Sequence, residues 1–153
     1  MEKRLNLQEN LWNKLRKISQ LRFYISSVTS HGVHKSEGQG NVLVSQNSDD
    51  MIVFEESGTW VYDNTQPDFV NSMFWRKLNK NSINHGHMRY GVDEPVELVM
   101  FMLLADGSWV SARPHLCGED VYSAKILCNE DEIRIEWEVK GPYKNYSKVI
   151  IYS

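Results

Sequence analysis

Cysteine is scarce in this chain: Cys117 and Cys128 are its two among 153 residues. A disulfide framework is thereby excluded. Met1-Glu2-Lys3-Arg4 leads into polar sequence and not into an apolar signal core, so a cytoplasmic setting with reduced thiols is expected. A long hydrophobic run is also missing. The longest, residues 98–105, has the length of one strand, and a helical membrane span is not expected. Nor is there a basic run: 17 Lys and Arg against 20 Asp and Glu leave a net charge of −3. Phosphate backbones are held by clustered Lys and Arg, so nucleic acid is not an expected partner. Lys3, Arg4, Lys14, Arg16, Lys17 and Arg22 are mixed with apolar residues and read as one face of a helix. Gly38 and Gly40 lack the Gly-Lys-Ser/Thr ending of a phosphate loop.

What is present is an ordinary globular composition, 41% hydrophobic and 24% charged, with seven Tyr, five Trp and five Phe. The length suits a single domain over residues 1–153 that buries roughly two-thirds of its unfolded surface. Leu7, Leu11, Leu15 and Ile18 recur at steps of four and three, with Trp12 and Leu21 beside them. That spacing predicts an amphipathic helix over about 7–20, with Asn6 as its N-cap. From Arg22 onward strand patterns follow one another. They cover residues 22–30, 42–44, 51–56, 59–62, 69–78, 83–90, 96–104, 108–112, 121–128, 133–140 and 146–152. Residues 31–40, with three glycines, read as a loop, and Ser57-Gly58 reads as a hairpin turn. Asp106-Gly107 is the strongest hairpin signal. Ile133, Ile135, Trp137 and Val139 alternate with Arg134, Glu136, Glu138 and Lys140, as in a half-buried antiparallel strand. About eight to ten strands with short links predict a mainly β antiparallel meander that closes into a barrel and so loses its edges. Residues 98–104 are apolar on both faces and are expected to lie between the barrel interior and the helix.

Two stretches carry candidate chemistry. In Ile83-Asn84-His85-Gly86-His87-Met88-Arg89-Tyr90, side chains two apart share a strand face, so His85, His87 and Arg89 point the same way. Such a stripe fits a lumen in which the arginine fork meets an anionic ligand, or an ordinary solvated face. With His115 as a third ligand, and Asp120 or Glu56 behind it, it would make a metal site. No spaced third ligand marks one, and no metal is assigned. The second stretch is Arg113-Pro114-His115-Leu116-Cys117-Gly118-Glu119-Asp120-Val121-Tyr122. His115 could lower the thiol pKa of Cys117, but residues two apart in a turn rarely meet within hydrogen-bond reach. The favoured reading is a corner of the fold, with Asp120, Tyr122 and Lys144 bonded to one another behind Gly141-Pro142. The candidate ligand contacts are His85, His87, Arg89, Arg113, His115 and Tyr122. Catalytic residues and cofactors are left unassigned.

The pattern His115-x-Cys117-x-x-Asp120-x-Tyr122, then Trp137-x-Val139-x-Gly141-Pro142-x-Lys144 and a terminal Tyr152, resembles an uncharacterised family of domains of unknown function. That family is grouped with calycin-like, that is lipocalin-like, β-barrels. Gly40 before Val42, and Glu56-Ser57-Gly58 after an apolar strand, are similar to its earlier motifs in matching order. The resemblance spans residues 38–152 and implies a barrel with an internal cavity. It implies a structural role for Glu56, Gly58, Cys117, Asp120, Trp137, Gly141, Pro142 and Lys144, and no activity. The leading expectation is therefore a cytoplasmic barrel that binds a small, partly apolar or anionic molecule in its lumen. Two alternatives stand beside it. One is an enzyme using His115, Cys117, Asp120 and Tyr122, or a His-bound metal. The other is an interaction module with an exposed apolar patch around Trp12 or Trp60.

Overall fold

The computed structural model describes residues 2–89, 94–112, 115–142 and 144–153, and of residues 2–6, 47, 115 and 117 the backbone alone. A single helix, α1 (Glu2–Arg16), precedes the strands. The first five strands are β1 (Gln20–Thr29), β2 (Gly32–Ser48), β3 (Met51–Val61), β4 (Asp68–Asn79) and β5 (Ser82–Met88). They are followed by β6 (Pro95–Leu103), β7 (Trp109–Ser111), β8 (His115–Cys117), β9 (Asp120–Cys128), β10 (Ile133–Lys140) and β11 (Asn145–Tyr152). Neighbours in sequence pair antiparallel except β7 and β8, and β11 pairs with β1 over Leu21↔Tyr152 to Ser27↔Tyr146. β7 and β8 lie along the same side of β9, at Trp109↔Ile126 and Cys117↔Asp120, while β10 takes its other side. The meander thus closes into a ten-strand barrel, the expected mainly β architecture with one N-terminal helix.

Three local expectations are corrected. Residues 31–40 are not a loop, because β2 runs unbroken from Gly32. Ser57-Gly58 is not a hairpin, because β3 continues through it to Val61. Glycine serves close backbone approach at both places: Gly40 sits opposite Gly58. A Cβ on Gly40 would stand 2.1 Å from the Ser57 carbonyl oxygen, and one on Gly58 2.0 Å from that of Gln39. Such glycines mark a tight sheet crossing and no turn.

The helix is the third correction. It begins at Glu2, so Asn6 lies inside it, and it ends at Arg16. The Ser19 and Gln20 amides donate to the Ser153 carbonyl at 2.9 and 3.0 Å, which draws the chain into β1. Ile18 and Leu21 extend the apolar periodicity, yet they belong to the entry into that strand. The helix also does not lie along the outside of residues 98–104. Leu11, Trp12 and Leu15 are buried in one cluster with Ile52, Phe54, Trp75, Ile133 and Tyr152, so α1 stops an end of the barrel. Its polar side chains hold the turns around that rim. Gln8 Nε2 donates to the Asn79 and Ser82 carbonyls, Arg16 Nε to Gln46 Oε1 at 2.9 Å, and Lys14 Nζ to the Asn129 carbonyl. Glu9 meets Lys77 at 2.8 Å. Along β6 the inward residues are Val99, Phe101 and Leu103. Met100 and Met102, on the other face, are half-buried. Among the described residues no helix is long and apolar enough to cross a membrane.

Candidate functional site

Away from the helix the barrel is hollow. A cavity of about 260 Å³ lies there, lined by residues of β4, β5, β6, β9, β10 and β11. Its walls come from strand alternation. On β11 the inward row is Tyr146, Lys148, Ile150 and Tyr152, and the first three line the cavity. Trp137 and Val139 add the β10 wall, Tyr122 the β9 wall and Met73 the β4 wall. Leu98 reaches the cavity through a bulge: His85 pairs with Val99 and Gly86 with Glu97, so β6 carries one extra residue there. Gly86 tolerates this because nothing stands on its Cα; a Cβ would lie 2.0 Å from the Val96 carbonyl oxygen.

Four polar side chains face this apolar lining. His85 is 1% exposed, and its ring stacks on Trp75 with centroids 3.7 Å apart. Its Nδ1–H donates to the Phe74 carbonyl at 2.8 Å, which leaves Nε2 as an acceptor. Burial pushes its pKa down to about 4, against a smaller upward effect of that carbonyl. The imidazole is therefore neutral at pH 7. Lys148 stands over the Phe23 ring, Nζ 5.0 Å from the centroid. Burial lowers its pKa, partly offset by the field of Glu56. Lys77, Lys140 and Lys144 each have a carboxylate partner, but among the described residues Lys148 forms no ion pair. Tyr122 and Tyr146 are hydrogen-bond partners, and burial is the main cause that raises the Tyr146 hydroxyl pKa. Deeper in, Tyr152 donates to Glu56 Oε2 at 2.5 Å. Burial raises both pKa values, that of Tyr152 well above the usual range.

At the rim Lys144 meets both Asp120 and Tyr122. Lys144 Nζ lies 3.7 Å from Asp120 Oδ2 and donates to the Tyr122 hydroxyl at 3.5 Å. Gly141 packs on the same carboxylate, since a Cβ there would stand 1.9 Å from Asp120 Oδ1. The turn from β8 into β9 uses Gly118 at φ 64°, a conformation glycine adopts without steric cost.

The sequence-predicted contacts divide. His85 and Tyr122 come together at the cavity. His87, paired with Met73, sits one step nearer the rim and is exposed. Arg89 does not continue the stripe: β5 ends at Met88, the two-residue alternation ends with it, and Arg89 is exposed, 3.6 Å from Glu94. Arg113 lies outside the described residues, as do the side chains of His115 and Cys117. Their backbones stand opposite Tyr122 and Asp120. Cys128 lies eight residues beyond Asp120 along β9, about 26 Å from Cys117 at the rise of a strand, so the two cannot bridge. Of the structural-signature residues, Trp137 lines the cavity and Pro142 is exposed. No group of three or more His, Cys, Asp or Glu among the described residues is placed to hold a metal ion. Of the two residues around which an exposed apolar patch was expected, Trp12 is fully buried, whereas Trp60 is half-buried against Phe23 and Tyr62, with Val61 and Tyr62 exposed beside it. Lys148 and Tyr146 were not singled out from sequence. The signal was the row Tyr146, Lys148, Ile150, Tyr152, in which a lysine occupies an otherwise aromatic and apolar face.

No curated protein matches the chain. Among solved structures, EF1p2_mFAP2b, solved bound to DFHBI, is similar at 8% identity and a TM-score of 0.41, over 92% of this chain and 94% of that one. A TM-score that low transfers neither ligand nor site. The sequence itself is more informative: the model of a family of unknown function, DUF6314, matches residues 10–153, all of the strands and the last part of the helix. The chain belongs to that family.

Proposed function

We propose that the open end of the barrel binds a small, partly apolar anion, with its acidic group against Lys148 and its apolar body against Trp137, Leu98 and Ile150. One observation carries this reading. Lys148 is a partly buried cation on the wall of an apolar cavity, with no ion pair among the described residues. A desolvated cation in such a place is costly, and an anionic ligand offsets that cost. His85, held neutral with Nε2 as acceptor, and the hydroxyls of Tyr122 and Tyr146 are the orienting groups. His87 lies at the rim as a further candidate contact. A cavity of about 260 Å³ stands near the lower end of small-molecule sites, roughly 300–1,000 Å³, and suits a ligand with one ring. The resemblance to calycin-like barrels points the same way.

The test is a titration with 4-isopropylbenzoate, followed by the fluorescence of Trp137 against the other tryptophans. Saturable binding is expected, weaker by about tenfold for Lys148→Met, the scale of a charge-assisted hydrogen bond. The uncharged 4-isopropylbenzyl alcohol should bind wild type and variant alike. Absence of saturation with the acid, or equal affinity of the acid for both proteins, would overturn the proposal.

A further inference from the structure

We infer that Lys148 is also a reactive amine, and that the cavity takes a small aromatic aldehyde as a reversible imine on its Nζ. The inference rests on the cavity and the placement of Lys148 in the binding reading above, and adds bond formation to them.

Lys148 occupies the middle of the inward row of β11, between Tyr146 and Ile150, on the wall of the cavity. An apolar aldehyde entering the open end is held beside this amine among Trp137, Leu98 and Met73. Confinement of that kind makes a second-order reaction effectively unimolecular. The amine is also available. Lys77, Lys140 and Lys144 are tied to carboxylates, which favour the ammonium form. Lys148 has no ion pair among the described residues, and although the Phe23 face attracts its ammonium, the field of Glu56 that also favours it is outweighed by burial. Only the neutral amine attacks a carbonyl, and burial, the main cause of the lowered Lys148 pKa, enlarges the neutral fraction.

The step balances without an oxidant or reductant. The Nζ lone pair forms a bond to the carbonyl carbon, and the C=O π pair moves to oxygen. A proton passes from nitrogen to that oxygen to give the carbinolamine. The hydroxyl then takes up a second proton and leaves as water as the C–O bond breaks and the nitrogen lone pair forms C=N. The remaining N–H proton is released, so that no net proton is consumed. Amine and aldehyde become imine and water. The Tyr146 hydroxyl, whose pKa burial raises, is a proton donor in the same cavity, and neutral His85 is an acceptor.

The experiment treats the full chain with 4-isopropylbenzaldehyde and sodium cyanoborohydride, which traps imines as secondary amines, followed by peptide mapping. Lys148 should be labelled at least about tenfold faster than the exposed Lys35, Lys80 and Lys125, from the proximity effect. 4-Isopropylbenzoate should slow that labelling and leave the exposed lysines unaffected. Lys148→Arg should lose the fast label; the wild-type peptide map decides the matter even if that variant folds poorly. Labelling spread evenly over the lysines would overturn the inference. If the acid binds saturably while Lys148 labels no faster than the exposed lysines, the imine is wrong and the binding reading stands. If Lys148 labels fast and the acid fails to bind, the imine stands and the anion reading falls.

Discussion

At the helix end, Trp12, Leu15, Ile52, Phe54, Trp75 and Ile133 are each 0% exposed, and α1 lies across the opening. At the other end Met73, Leu98, Trp137 and Ile150 are only half-buried, around empty space. The same strands supply both. In one half the inward positions carry aromatic and branched side chains that meet ring to ring, as at Phe54–Trp75, 5.9 Å, and Phe54–Tyr152, 5.2 Å. In the other half they carry a lysine, two tyrosines and an enclosed histidine. The helix end therefore holds the barrel together, and the other end leaves polar groups in an apolar setting, where the proposed ligand would bind.

The contrast can be broken from either side. The largest effect is expected at the plug. Trp12→Ala should lower the unfolding free energy by about 3–5 kcal/mol, the usual cost of emptying an aromatic core site, as read by urea denaturation. Binding of 4-isopropylbenzoate to the folded variant should persist. Next comes His85, at the join between the halves. Its folded pKa is about 4 against 6.5 for the free side chain, so the unfolded chain binds the proton more readily between these values. The contribution of His85 to stability is complete above pH 6.5. It falls by about 3 kcal/mol as the pH drops to 4. Glu56 acts in the opposite sense: its raised pKa costs stability as the pH rises from 4.5. Denaturation midpoints at pH 7 and 4.5 should therefore converge in His85→Phe. A variant that kept the wild-type slope would place the acid sensitivity elsewhere.

A smaller loss is expected at the rim. Asp120→Ala removes the carboxylate shared by Lys144 and packed on Gly141, and should cost about 1–3 kcal/mol. An unchanged melting temperature with altered ligand affinity would make Asp120 part of the binding site instead. The smallest stability effect belongs to Lys148→Met. It should change the unfolding free energy by less than about 1 kcal/mol, because relief of the desolvation cost of the charge offsets the lost contact with the Phe23 ring and the lost field of Glu56, while weakening anion binding about tenfold.

Much of this frame is legible in the sequence, where one physical signal dominates. The strict alternation of residues 133–140 and the Asp106-Gly107 turn point straight to strands and a hairpin, and the Leu7, Leu11, Leu15 spacing points to a helix. The misreadings have a common source. Gly38, Gly40 and Gly58 look like turn residues, yet they lie where the Phe23 ring or a neighbouring backbone occupies the space of a side chain. Ile18 and Leu21 look helical because they continue the apolar period, while the pairing of Gln20 with Ser153 is invisible locally. At the site, His85 and Tyr122 were legible because histidine and tyrosine attract notice in any strand. Lys148 was not, since a lysine near the end of a chain resembles a solvated one until strand parity places it inward.

The most direct test of the ligand-binding account is a backbone amide NMR titration of the full chain with 4-isopropylbenzoate. The account predicts shifts confined to the open half: β9 near Tyr122, β10 near Trp137, β11 from Tyr146 to Ile150, and β5 near His85, with α1 unmoved. Shifts centred on α1 and its rim, or none at saturating ligand, would contradict it.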